Sequence, residues 1–144
     1  MQILIGNGIN NLIFGLTERE IISTHGEPDK KYTDEYGDIY IQYNSLETTL
    51  KLEKENDFIL GWLETSNTNT RLYEISPWQL QQEELVSKLE NILSESPETE
   101  DYDSFESVIF NNSWLELQFE YEKLKQINIG VLFDENNNPK WPNA

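Results

Sequence analysis

The chain holds few groups that could make or break a bond: one histidine, no cysteine and 27 carboxylates. His25 stands just before Gly26, where the pattern ends a helix, and a dipolar or cationic ring suits the exposed carbonyls of a helix end. That is a structural placing. Without a second histidine or any cysteine, neither a nucleophilic triad nor a thiolate or histidine-rich metal site can be assembled. Glu98, Glu100, Asp101, Asp103 and Glu106 crowd one segment and could hold calcium weakly, but they lack the glycine-punctuated spacing of an EF-hand loop. A carboxylate pair acting on a glycoside needs a cleft with stacking aromatics, and Trp62, Trp114 and Trp141 supply rings without a groove legible in the sequence. No GxxxxGK[ST] or GxGxxG segment is present, and Gly6-Asn7-Gly8 is too short to stand for one. The expectation is a protein that is not an enzyme, with no catalytic residues, no cofactor and no metal, working by presenting a surface.

Charge says what that surface would attract. Twenty-seven acids against ten bases give a net charge of −17, which disfavours binding of nucleic acid and favours a basic partner. The excess is uneven, since twelve acids face one lysine between Glu83 and Glu122. Acidic segments often serve only to keep a surface hydrated, but self-repulsion at this density costs stability, and a cationic partner is the simplest compensation. The 37% hydrophobic and 12% aromatic content is enough for a packed core, so the chain is read as folded. The opening MQILIGNGINNLIFG has no basic n-region and no apolar run of signal length, and no stretch reaches spanning length, so the expected location is the cytoplasm.

The elements that must position this surface alternate between strand and helix patterns. Ile3–Ile5 and Leu12–Phe14 read as an edge strand or hairpin entering the fold. Thr17 with Glu20 forms a capping box, and Gly26 followed by Pro28 stops the short helix that it opens. Asp34–Gly37 turns the chain into three strands, Ile39–Tyr43, Leu46–Glu53 and Phe58–Thr65. Ser66–Thr70 reads as a linker. Ser76, Pro77 and Gln79 then resemble a second helix start, and Leu85, Val86, Leu89, Ile92 and Leu93 carry a period near 3.6 from about Trp78 to Leu93. Ser94–Ser104 reads as an acidic loop. Three further strands follow, Val108–Phe110, Leu115–Tyr121 and Ile127–Val131, while Trp141 in the tail is expected to fold back onto the body.

The two halves, 1–65 and 71–144, therefore share a plan. Asn44-Ser45-Leu46 precedes Leu50-Lys51-Leu52-Glu53 as Asn112-Ser113-Trp114 precedes Leu117-Gln118-Phe119-Glu120, and Leu60 and Leu63 have counterparts in Leu124 and Ile127. The expected fold is α+β, a single domain of two helix-plus-three-strand repeats that form one antiparallel sheet or two adjoining sheets with helices on one face.

Alternation in the strand after Asn112 assigns Leu115, Leu117, Phe119 and Tyr121 to one face, and Trp114, Glu116, Glu120 and Glu122 to the other. If that other face is open, these four with Glu98, Glu100, Asp101, Asp103 and Glu106 beside them make an aromatic and acidic patch fit for a basic protein. If a helix covers it, Trp114 is core. Both readings stand at this point.

The first half, with GLTEREIISTHGEPDKKYTDEYGDIYIQY, resembles the helix–Gly-x-Pro-Asp–strand opening of small cytoplasmic immunity proteins carried beside bacterial polymorphic or contact-dependent toxins. The doubled helix-plus-sheet plan is also similar to tandem-repeat beta-lactamase inhibitor proteins and to small outer-membrane assembly lipoproteins, although the chain has no lipid-attachment cysteine. Immunity proteins share no catalytic residues, so the resemblance implies a role and no site. That role is stoichiometric neutralisation of a cognate toxin domain, most plausibly a basic nuclease, with no contact to nucleic acid or membrane. The alternative is an acidic nucleic-acid mimic or adaptor that occupies a DNA-binding protein.

Overall fold

The computed structural model describes residues 1–142; residues 143 and 144 lie outside it. It is a mixed α+β fold with two helices, a four-stranded sheet and an eight-stranded sheet. The chain enters through three short strands, β1 (Gln2–Leu4), β2 (Gly8–Ile9) and β3 (Leu12–Ile13), followed by helix α1 (Glu18–His25). Four strands follow: β4 (Lys30–Thr33), β5 (Ile39–Tyr43), β6 (Thr48–Glu53) and β7 (Ile59–Thr65). The second half runs through β8 (Arg71–Leu72), α2 (Gln82–Leu93), β9 (Glu98–Tyr102), β10 (Phe105–Phe110), β11 (Leu115–Glu120) and β12 (Lys123–Gly130).

The small sheet has the order β3-β2-β1-β8, with β8 parallel to β1, so the segment after Thr65 is pinned to the N-terminus. Ser66–Thr70 is accordingly no free linker: Thr70 is fully buried, and the Asn67 amide donates to the Leu46 carbonyl at 3.3 Å. Gly8 makes the tight β2–β3 approach possible. A Cβ there would fall 2.0 Å from the Leu12 carbonyl oxygen.

The large sheet has the order β4-β5-β6-β7-β12-β11-β10-β9, antiparallel throughout, with β7 and β12 meeting at a central seam. Each helix is thus followed by four sheet strands rather than the expected three. The unforeseen strands, β4 and β9, are the two sheet edges and are exposed along their whole length. An edge strand with no buried face shows no hydrophobic alternation, which is why ETEDY reads as a loop by pattern. Two local features recur. A 3₁₀ turn followed by a left-handed residue connects β5 to β6 (Glu47, φ 50°) and β10 to β11 (Trp114, φ 45°). A bulge interrupts β6–β7 at Lys51/Leu52 and β11–β12 at Gln118/Phe119.

One face of the large sheet is the core. Ile41, Leu50, Leu63, Ile129, Leu115 and Phe110 are successive cross-strand partners, and they join Ile21 of α1, Leu85 and Leu89 of α2, and Ile3, Leu12 and Leu72 of the small sheet in one hydrophobic cluster. Both helices therefore pack on the same side. In α1 the capping box forms as the sequence implies: the Glu20 amide donates to Thr17 Oγ1 at 3.2 Å and the Thr17 amide to Glu20 Oε1 at 3.1 Å. Only Ile21 of that helix is fully buried, so α1 depends on docking. Helix α2 starts at Gln82, not Trp78. Pro77–Gln79 forms a separate 3₁₀ turn, Leu80 is extended, and Ser76 makes no capping hydrogen bond. The Trp141 ring folds back over Gly61 and Gly15, within 3.8 Å of where a Cβ would stand.

Candidate protein-binding face

The other face of the large sheet carries no helix, because both helices are committed to the core side. Its middle is built by two neighbouring cross-strand rows. The first runs Tyr32, Tyr40, Lys51, Trp62 and Gly130, each the direct partner of the next. Tyr32 and Tyr40 stack with centroids 4.9 Å apart and rings 4° from parallel. Lys51 Nζ stands 5.7 Å from the Tyr40 centroid and 3.7 Å from Asp38 Oδ2. Burial pulls the Lys51 pKa down, but Tyr40, Glu53 and Asp38 outweigh it and hold the ammonium above its ordinary value. At the end of the row Trp114 closes over the seam: a Cβ on Gly130 would lie 2.7–2.9 Å from its indole. Glycine is what lets the ring lie against the backbone between the two halves, with Trp62 on the far side.

The second row runs Lys30, Gln42, Thr49, Glu64, Asn128, Glu116, Ile109 and Glu98. Along it the side chains form a hydrogen-bonded ladder. Gln126 Nε2 donates to Glu64 Oε2 at 2.7 Å and to Asn128 Oδ1 at 3.0 Å, and Asn128 Nδ2 donates to Glu116 Oε1 at 2.9 Å. Ser107 Oγ and Gln118 Nε2 both donate to Glu116 Oε2, at 2.6 and 3.3 Å. Asn128 and Ser107 are almost fully buried, so the centre of this face is sheltered although no helix covers it among the described residues. Burial pushes the Glu64 carboxyl above the usual range; Gln126 opposes the shift and Glu116 adds to it.

The nine residues singled out by pattern do not form one patch. Trp114, Glu116, Glu120, Glu98 and Glu100 share the open face. Asp101 and Glu106 pair across β9 and β10 on the helix side, where Gln82 of α2 bonds to Glu106. Asp103 lies in the β9–β10 turn. Glu122 is in the β11–β12 turn with Tyr121, both left-handed at φ 67° and 51°, and Tyr121 is 91% exposed rather than buried. The strand ends at Glu120, so the alternation that assigned these two residues does not reach them. Trp114 stays half-buried on the uncovered face, held by Gly130 and not by a helix.

Tyr32, Tyr40, Lys51, Glu64, Gln126 and Asn128 belong to the same face without having been singled out, and Trp62, noted only as an available ring, joins them. Their signal was present: Gln126 and Asn128 alternate with buried Ile127 and Ile129, and Trp62 and Glu64 alternate with Leu63 and Thr65. As for catalysis, His25 packs against Tyr43 with ring centroids 5.9 Å apart, and its Nε2 is buried without a partner among the described residues. Among the described residues no three of His, Cys, Asp or Glu are grouped to hold a metal ion, and no helix is long and apolar enough to cross a membrane.

No protein-family model matches the chain, and no curated protein matches it by sequence. Two solved structures share its fold. One is an extracellular protein containing a SCP domain from Bacillus anthracis, with TM-score 0.52 and 11% identity over 84% of this chain and 44% of that one. The other is the DUF4309 family protein YjgB from Bacillus subtilis, with TM-score 0.52 and 12% identity over 88% of both chains. The chain thus spans less than half of the first neighbour's length and most of the second's.

Proposed function

We propose that this chain is a cytoplasmic immunity protein that binds a basic toxin domain one to one through the uncovered face of its eight-stranded sheet. The observation that carries the reading is the make-up of that face. It carries half-buried Trp62 and Trp114 together with Glu120, Glu98 and Glu100, acids with no ion-pair partner among the described residues, where the only pairs are Lys31–Glu18 and Lys51–Asp38. Aromatic side chains supply buried area, and carboxylates left without internal cations steer a cationic surface toward it. A net charge of −17 acts in the same direction at long range. The segment Gly15–Tyr43, which resembles the opening of immunity proteins, supports the role rather than the interface.

In the same reading the two halves are copies of one unit, α1 with β4–β7 and α2 with β9–β12. The recurring left-handed turn and bulge support this, and joining the copies edge to edge creates a face wide enough for a partner domain. The test is binding of the toxin domain encoded by the adjacent reading frame. Tight one-to-one association that slows as salt rises is the expected result. Reversing Glu98 and Glu120 to lysine together should slow association at least about tenfold with no change in melting temperature. Absence of binding at low salt would sink the reading.

A further inference from the structure

Glu64 stands at the seam of the two halves, yet it is the carboxylate of the ladder that the protein itself serves least. Its Oε2 takes one hydrogen bond, from Gln126, and among the described residues its Oε1 takes none. No lysine or arginine pairs with it. The side chain lines a cleft of about 260 Å³ between the β5–β6 turn and the end of β7, with Gln42, Thr49, Thr65 and Gln126 as further walls and Glu47 on its rim. A carboxylate drawn partly out of water, given one amide partner and faced with open space, is short of a counter-charge. The cleft supplies room for one, and its walls are hydroxyls and amides that can take up the remaining N–H groups of a cationic head.

We infer that this cleft is a socket for a single arginine or lysine side chain of a basic protein partner, with Glu64 as the charge it closes on, Gln126 holding that carboxylate in place and Glu47 guiding entry. The inference rests on the partner being a basic protein, as proposed above. It adds that the centre of recognition lies on the seam, away from the most acidic strand. Burial that lifts the Glu64 pKa is the cost an incoming cation would relieve.

Two measurements test it, and they fail separately. In the first, the free protein is titrated with Nα-acetyl-arginine amide and, in parallel, with the isosteric neutral Nα-acetyl-citrulline amide, followed by NMR at Glu64, Thr49 and Gln126. Saturable shifts with the arginine compound alone, lost in E64Q, are expected. Equal shifts with both compounds, or none up to about 100 mM, would overturn the socket. In the second, E64Q is compared with the wild type for binding to the neighbouring toxin domain. A loss of at least about thirtyfold is expected, the lower end for removing one member of a desolvated charge pair. Affinity within threefold of wild type would overturn the socket and leave the immunity reading intact. If the wild type does not bind that domain, the immunity reading falls and the arginine titration alone decides the socket. E64Q should melt at or above the wild-type temperature, since the amide oxygen it introduces can still accept from Gln126; a lower value would mark Glu64 as structural and count against the proposal.

Discussion

Glu116 and Glu64 flank the same residue, Asn128, from opposite sides of the β12 strand, and their situations are opposite. Glu116 receives Asn128, Ser107 and Gln118, two of which are almost fully buried, so its charge is used inside the protein. Glu64 receives Gln126 alone and opens onto a cleft. Two acids on one face, one row and one ladder thus divide into a structural anchor and an unspent charge. Acidic composition cannot separate them; the count of donors within reach can.

The largest effect should come from the core that both halves share. Leu63→Ala and Leu117→Ala each empty a fully buried position on their own side of the seam, and each should cost ~2–5 kcal/mol. Denaturant unfolding followed by tryptophan fluorescence and by far-ultraviolet circular dichroism should give one coincident transition for both variants. A variant that unfolds only one half would show that the seam does not couple them.

Next is the carboxylate contrast itself. Glu116→Ala leaves the Asn128 amide and the Ser107 hydroxyl without their acceptor and should cost ~1–3 kcal/mol. Glu64→Ala leaves Gln126 its bond to Asn128 and should stay within about 0.5 kcal/mol of wild type. Equal losses would erase the distinction. The contrast has a pH signature as well. A folded-state pKa raised above 4.5 means that the folded chain holds the Glu64 proton more tightly than the unfolded one. The stability this contributes is present below the ordinary glutamate value and is lost as pH rises through the raised value. Wild type should therefore lose stability relative to Glu64→Gln as pH rises from the ordinary glutamate range through the raised value, as read from paired urea midpoints.

The smallest effect is expected at the turn that ends β11. Tyr121 and Glu122 both occupy the left-handed region, which a two-residue hairpin loop requires and which asparagine and glycine adopt more readily. Replacing the pair by Asn-Gly should raise stability by ~0.5–1 kcal/mol and leave the open face untouched, so binding of the proposed partner should not change.

Much of the fold was legible along the chain. The capping box of α1, the alternation of Leu115, Leu117 and Phe119 in β11, and the turns at Asp34–Gly37, Asn44-Ser45 and Asn111-Asn112 are properties of consecutive residues, and each appears in the structure where the pattern put it. The edges β4 and β9 were hidden because a strand exposed on both faces carries no hydrophobic period. The start of α2 was misplaced because a proline-led 3₁₀ turn imitates a helix start. Glu122 and Tyr121 were assigned by extending an alternation past the end of its strand.

The sequence alone determined the mixed class, most of the strand faces and the strongly negative net charge, because periodicity and composition are local or additive. Which carboxylates are spent and which are left over was decided only by the pairing of β7 with β12, which brings Gln126 to Glu64 across 62 positions of chain. A side chain's partners are set by strand register between distant segments, and no local pattern encodes that register.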